Sequence, residues 1–210
     1  MISNICCYQL TAKSKLTKDN YRQLAQLVYR TDAYIYPCIF NSESDAITVF
    51  ANLLQSNHDA MFSKDNCFVA ATSSGNILGM ILWKKGSLVW DDVSLKSQAK
   101  LDGVKLSPYF DLVKQRYFTS YENNAPDQIT LINVSVDPAA QGQGIGSIMI
   151  ENFVQEHKNE EMELYVLADN APAIQLYSKH AQFEKIATIQ GFSYDQRELP
   201  CLVMQRSPNE

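Results

Sequence analysis

The stretch "LINVSVDPAAQGQGIGSIMI", Leu131 to Ile150, joins an apolar run of strand character to a second apolar run through a proline and three glycines at alternate positions. Gly142, Gly144 and Gly146 stand where the chain would leave a strand and begin a helix. The first N–H groups of a helix have no intrahelical partner and sit at the positive end of its dipole. A turn stripped of side chains at that point can cradle a phosphate or diphosphate. The amides concerned run from Gln141 through Ser147, and a Cβ at any of the three glycines would obstruct the approach.

The spacing narrows the ligand. A dinucleotide fold uses GxGxxG with an acidic residue about twenty positions on, whereas this chain has GxGxG. A nucleotide-binding P-loop needs GK[ST], and none follows. A dinucleotide-dependent oxidoreductase is therefore disfavoured.

Working outward, "ITLINVSV" reads as a strand, "GIGSIMIENFVQEH" as a helix and "MELYVLA" as a strand. Strand, helix, strand in so short a span predicts two parallel neighbours joined by a right-handed crossover. Asn170 and Pro172 suit the cap and first turn of a further helix, "PAIQLYSKH". Two more strands, "FEKIATI" and "LPCLVMQ", follow across a polar turn region. On the N-terminal side, a possible first strand precedes "TKDNYRQLAQLVYR", where Tyr21, Leu24, Leu27 and Val28 form one helical stripe. "SESDAITVFANLLQ" opens with Ser42 three residues before Asp45, a helix-start pattern, with Ile47, Phe50 and Leu54 on one face. "TDAYIYPCIF" between them reads as an aromatic loop. "CFVAAT", "SSGN" and "ILGMILWKK" read as an antiparallel hairpin. From about 86 to 128 the pattern is irregular, apart from a helix start at Ser107 and Pro108 followed by Phe110, Val113, Tyr117 and Tyr121 at helical spacing.

The bulk properties set limits. The 210 residues suit a single domain spanning 1–210 with an enlarged connection at about 86–128, and 46% hydrophobic residues suffice for a core. Eighteen basic against twenty-three acidic side chains give −5, which offers no general attraction to nucleic acid or anionic membrane. No apolar run approaches the ~20 residues of a bilayer span, and "MISNICCYQL" lacks the basic start and apolar stretch of an export signal. Five cysteines without CxxC spacing and three scattered histidines suggest neither a disulfide framework nor a metal site, and favour a reducing cytoplasm.

The string "VSVDPAAQGQGIG" resembles the acyl-coenzyme-A loop of the GNAT superfamily of N-acetyltransferases, with Val134, Val136, Pro138, Gln141, Gly142, Gly144 and Gly146 at the marked positions. "DNAPAIQLYSKHAQF" resembles a second segment of that family through Asn170, Ala173, Leu176 and Tyr177, although Ala181 stands where glycine is usual and Phe183 comes one place late. The firm resemblance covers about residues 128–183. It implies an α/β (α+β) fold: a mixed, mostly antiparallel sheet with a splayed parallel strand pair and helices on both faces.

It also implies a site. Acetyl-coenzyme A would lie in the splay, its pantetheine bonded to backbone around Val134 and Val136. Its diphosphate would meet Gln141, Gly142, Gln143, Gly144, Ile145, Gly146 and Ser147. Asn170 would cap its helix, touch the donor, or both, and Tyr177 would be the general acid, a phenol protonated at neutral pH. Many relatives carry a glutamate on the strand before the glycines; here Asn133 is the polar residue, and Asp137 the first carboxylate. The base stays open among Asp91, Asp92 and Glu122 acting through water, or an amine that arrives neutral. Tyr34, Tyr36, Tyr117 and Tyr121 are candidates for the acceptor wall as well as for packing. The expected activity is acetyl transfer to a primary amine of a small molecule or peptide, without a metal. A non-catalytic acyl-coenzyme-A-binding module is the alternative, and pairing of two chains through their terminal strands is left open.

Overall fold

The computed structural model describes residues 5–56, 61–86, 92–117, 125–190, 193–194 and 197–208, the side chains of 114–117, 193–194 and 197 excepted. Its centre is a seven-stranded sheet. The strands are β1 (Ile5–Gln9), β2 (Cys67–Thr72), β3 (Ile77–Lys85), β4 (Ile129–Val136), β5 (Met162–Leu167), β6 (Glu184–Ile189) and β9 (Cys201–Arg206). Two short strands, β7 (Ser193–Tyr194) and β8 (Arg197–Glu198), pair with each other apart from it. The order across the sheet is β1-β2-β3-β4-β5-β9-β6, so β9 lies between β5 and β6. Every neighbouring pair is antiparallel except β4 and β5, which are parallel.

The alternation of side chains along the strands divides the core into two layers. In β2 and β3, Cys67, Val69, Met80 and Leu82 face one cluster, while Phe68, Ala70, Leu78 and Ile81 face the other. Both faces are covered, which is why "CFVAA" is buried at every position. The first layer is built from α1 (Lys18–Arg30), α2 (Ile35–Ile39), α3 (Glu43–Gln55), α4 (Asp92–Leu101) and α5 (Phe110–Tyr117). The second comes from α6 (Ile145–Glu156) and α7 (Ala171–Ala181).

Helices α1, α3 and α7 start where the sequence supplies a side-chain oxygen for the orphan amides. In α1, Thr17 Oγ1 accepts from the Asn20 amide at 3.1 Å and Asn20 Oδ1 accepts from the Thr17 amide at 3.1 Å. Tyr21, Leu24, Leu27 and Val28 are the buried stripe that the spacing predicts. Ser42 caps α3 through the Asp45 amide at 3.1 Å. Burying each such leucine or phenylalanine contributes roughly 1.5–3 kcal/mol.

Two segments depart from the sequence reading. "TDAYIYPCIF" is not simply a loop, because it contains the short helix α2. Asp32 Oδ1 accepts from both the Tyr34 and Ile35 amides at 2.7 Å, replacing the cap that pattern reading seeks next to the helix. Helix α4 carries a stripe of only Leu95 and Ala99, too narrow to register as periodicity. It is tied to α5 by Lys96 Nζ, 2.7 Å from Asp111 and 4.8 Å from the centre of the Phe110 ring. At the end of α7, Gln182 takes a left-handed conformation with φ of 58°, one position after the Ala181 that replaces the usual glycine. That shift places Phe183 in the core, against the Tyr177 ring at 6.1 Å.

Candidate active site

Strands β4 and β5 pair only through Ile129–Met162, Thr130–Glu163 and Leu131–Leu164. Beyond Leu131, β4 continues to Val136 along β3, while β5 continues to Leu167 along β9. The sheet therefore opens as a wedge between Ile132–Val136 and Tyr165–Leu167. Main-chain groups along its β4 wall are left without a ladder partner on that side, as a bound peptide-like chain requires.

The glycine turn closes the wedge on the α6/α7 face. After β4, Asp137 starts a single 3-10 turn over Pro138–Ala140, its Oδ1 accepting from the Ala139 amide at 2.8 Å. Gln141 Nε2 donates to the Val136 carbonyl and Gln143 Nε2 to the Ala139 carbonyl, both at 3.1 Å, so the two glutamines brace the turn. Gly142 and Gly144 take φ of 73° and 80°, and Gly144 is the N-terminal cap of α6. That left-handed conformation is costly for any other L residue. A Cβ at either would point into open space, as expected of a cradle kept clear for a ligand. Gly146 differs. Its conformation is helical, and a Cβ there would rest 3.6 Å from Leu176 and Val136, in ordinary contact.

The set of free amides is one residue shorter than the sequence suggests. The Gln141 amide donates to the Pro138 carbonyl at 3.4 Å, whereas those of Gly142 through Ser147 make no hydrogen bond among the described residues. The first bond of α6 runs from the Ile148 amide to the Gly144 carbonyl.

A cleft of about 510 Å³ joins these parts. Val134 and Val136 line it from β4, Gln141, Gly142 and Gly144 through Ser147 from the turn and α6, and Asn170, Leu176 and Tyr177 from α7. Of the expected donor-binding residues, only Gln143 is not on its wall, and its side chain braces the turn instead. Asn170 Oδ1 caps α7 by accepting from the Ala173 amide at 3.3 Å. Tyr177 is 8% exposed, its hydroxyl makes no hydrogen bond among the described residues, and burial raises its pKa above the ordinary phenol value. A protonated hydroxyl without a partner among the described residues, on the wall of a cleft, is available as a donor to whatever occupies that cleft.

The opposite face of the wedge is polar. Asn133, on β4, is buried, and its Nδ2 donates to Thr31 Oγ1 and to the Tyr36 hydroxyl at 3.2 Å. Tyr36 itself packs against Tyr29 at 6.4 Å and Phe50 at 5.1 Å, so its ring belongs to the core and only its hydroxyl reaches this cluster. The sequence candidates for a base are not gathered here. Asp137 is held by the turn and lies 3.9 Å from Arg30, and Asp92 lies 3.9 Å from Lys96 on α4. Asp91, Glu122 and Tyr121 lie outside the described residues, as does the side chain of Tyr117. Asp32, next to Thr31, has no motif to announce it.

These features define a class. The acetyltransferase (GNAT) family model matches residues 37–183, and the chain belongs to that family. It is thus an acyltransferase, of a family whose acyl donor is acetyl-coenzyme A. Among solved structures it is similar to an N-acetyltransferase from Staphylococcus aureus Mu50, at 12% identity and a TM-score of 0.65, over 96% of this chain and 100% of that one. A histone acetyltransferase HPA2 and related acetyltransferase from Corynebacterium glutamicum aligns at 16% identity and a TM-score of 0.62, covering 99% and 98%. Arabidopsis thaliana NAA60, solved with a bisubstrate analogue, aligns at 17% and 0.56, covering 98% and 99%. At these identities the likeness is one of fold. Curated proteins yield no sequence match.

Among the described residues, no helix is long and apolar enough to cross a membrane, and no group of three or more His, Cys, Asp or Glu is arranged to hold a metal ion.

Proposed function

We propose that the protein is an N-acetyltransferase that moves the acetyl group of acetyl-coenzyme A directly to a primary amine of a small molecule or peptide. The observation that carries this reading is the continuity of one cleft from the wedge wall at Val134 and Val136, past the free amides at the α6 N-terminus, to the hydroxyl-bearing Tyr177.

The donor fits these residues, and what it supplies when bound is an activated acetyl thioester. Main-chain groups of Val134 and Val136 bind its amide-bearing arm in place of a neighbouring strand. The amides of Gly142 through Ser147, with Gly142 and Gly144 bent clear, bind its diphosphate. Tyr177 donates the proton that the departing sulfur requires; burial keeps it protonated through neutral pH. The amine approaches from the α1/α2 face, where Asn133 and the Tyr36 hydroxyl lie. The five cysteines are all free, in keeping with a cytoplasmic protein.

Asn133, in the place where many relatives carry a carboxylate, favours a second reading in which the protein binds an acyl-coenzyme A without turnover. Measuring thiol release from acetyl-coenzyme A against a panel of aminoglycosides, polyamines, arylalkylamines and peptides with free N-termini separates the two. Turnover with at least one amine supports the transferase. Tight binding of the donor with no thiol release from any of them supports the binding module.

A further inference from the structure

We propose that Asp32 receives the acceptor, holding its ammonium group and taking the first proton from it, in place of the strand carboxylate that Asn133 lacks. This rests on the transferase reading above. Three observations place Asp32 there.

The first is position. Asp32 follows Thr31, whose Oγ1 accepts from Asn133 Nδ2 inside the open part of the wedge. Asp32 is thus held beside β4 on the face opposite the glycine turn.

The second is the state of its oxygens. Oδ1 accepts both the Tyr34 and Ile35 amides at 2.7 Å, fixing the carboxyl group at the start of α2. Oδ2 accepts no hydrogen bond from any described residue, and no described cation forms an ion pair with Asp32. One oxygen is anchored and the other is free, the arrangement needed to bind a proton donor that is not part of the protein.

The third is the surroundings. Asp32 is half-buried, and burial raises its pKa despite the two amides that oppose the rise. Among the described residues, the groups whose titration responds to its charge are Tyr36 and Cys38 of α2 and Cys201 at the start of β9, and none is cationic. Cys201 is driven up to about 11, chiefly by burial and then by Asp32 and by Asp169 from the loop after β5. Cys201 pairs with Leu167, the last residue of β5, so the field of Asp32 extends to the mouth of the wedge. A site with negative charge, no paired cation among the described residues and a raised proton affinity suits an ammonium ion and its proton.

The protons balance. Asp32 takes one from the ammonium and later releases it to solvent, freeing the nitrogen pair that forms the new C–N bond. Tyr177 gives one to the sulfur as that atom leaves with the electrons of the C–S bond. The second proton on the nitrogen restores the Tyr177 phenol.

Asp32→Asn is the informative substitution, because an amide oxygen still accepts the Tyr34 and Ile35 amides while the charge and the basic oxygen are lost. The folded-state pKa of Asp32 is raised, so its ionisation costs stability as pH climbs through and above that value, and the cost is absent in acid. Asp32→Asn should therefore raise the melting temperature near neutrality and leave it unchanged in acid. It should lower kcat/KM for the amine by about 100-fold or more and remove the acidic limb of the pH profile, with coenzyme A binding by calorimetry unchanged. Asp32→Glu should restore part of the rate.

The readout that needs no turnover is carbon NMR of the Asp32 carboxyl in the whole protein saturated with coenzyme A. Adding n-butylammonium, spermidine or a short peptide with a free N-terminus should lower its pKa by about one unit or more for at least one of them. If none moves it, or if Asp32→Asn transfers acetyl within about twofold of the wild type with an unaltered pH profile, the assignment is overturned. Failure of coenzyme A to bind at all would instead remove the transferase reading itself.

Discussion

Leu131 of β4 and Leu164 of β5 form the last pair of the parallel ladder, and the two strands part beyond them. Up to that pair the sheet is closed and its two layers are separate cores. Past it, β4 leans on β3 and β5 on β9, with the glycine turn on one face of β4 and Asn133 with its partners on the other. One irregularity in strand pairing thus leaves the β4 main chain open along the cleft, which is the groove that the proposed function gives to a peptide-like donor.

The positive φ of Gly144 and the open space beside it make a paired test with Gly103, which has φ of 68° and equally open surroundings but lies in the turn after α4. Gly144→Ala and Gly103→Ala should each lower stability by about 1–2 kcal/mol. Only Gly144→Ala should weaken coenzyme A binding, by about tenfold or more, the worth of one charge-assisted hydrogen bond. Chemical denaturation and calorimetry check the two quantities separately.

Tyr177→Phe keeps the ring against Phe183 and removes a hydroxyl that has no partner among the described residues. Stability should change little. The rate of acetyl transfer should fall by about 100-fold or more at every pH, with coenzyme A affinity retained. Because burial holds the phenol protonated, its ionisation should place no basic limb on the profile near neutrality. A rate within about twofold of the wild type would exclude Tyr177 as the acid.

Gln182 occupies a left-handed cap that glycine fills without strain. Gln182→Gly should stabilise the fold by about 0.5–1 kcal/mol, offset in part by the greater freedom glycine gives the unfolded chain. A rise in the urea midpoint without a change in slope is the expected signature.

Much of this site is legible in the sequence, because the glycine string, Asn170 and Tyr177 lie within one continuous stretch where local rules act. Gly142 and Gly144 are required by backbone conformation, Asn170 by capping, and the βαβ order by connection geometry. What escapes has non-local causes. Asp32 gains its significance only when Thr31 meets Asn133, 102 positions away. The helix α4 buries only Leu95 and Ala99, a stripe too narrow to read as periodicity, and Lys96 reaches Asp111 on α5. The position of β9 between β5 and β6 follows from the long return of the chain after β6, which no short-range pattern encodes. The free amides also begin at Gly142 rather than Gln141, because the 3-10 turn after Asp137 engages the Gln141 amide.

The most direct test of the central claim is a proton–nitrogen NMR titration of the protein with coenzyme A, following the amides between Gly142 and Ser147. The expected result is that these amides move together to lower field as the diphosphate binds, with a smaller response from truncated pantetheine. Saturable binding of coenzyme A that leaves those amides unmoved would contradict it, since the ligand would then be held elsewhere on the protein.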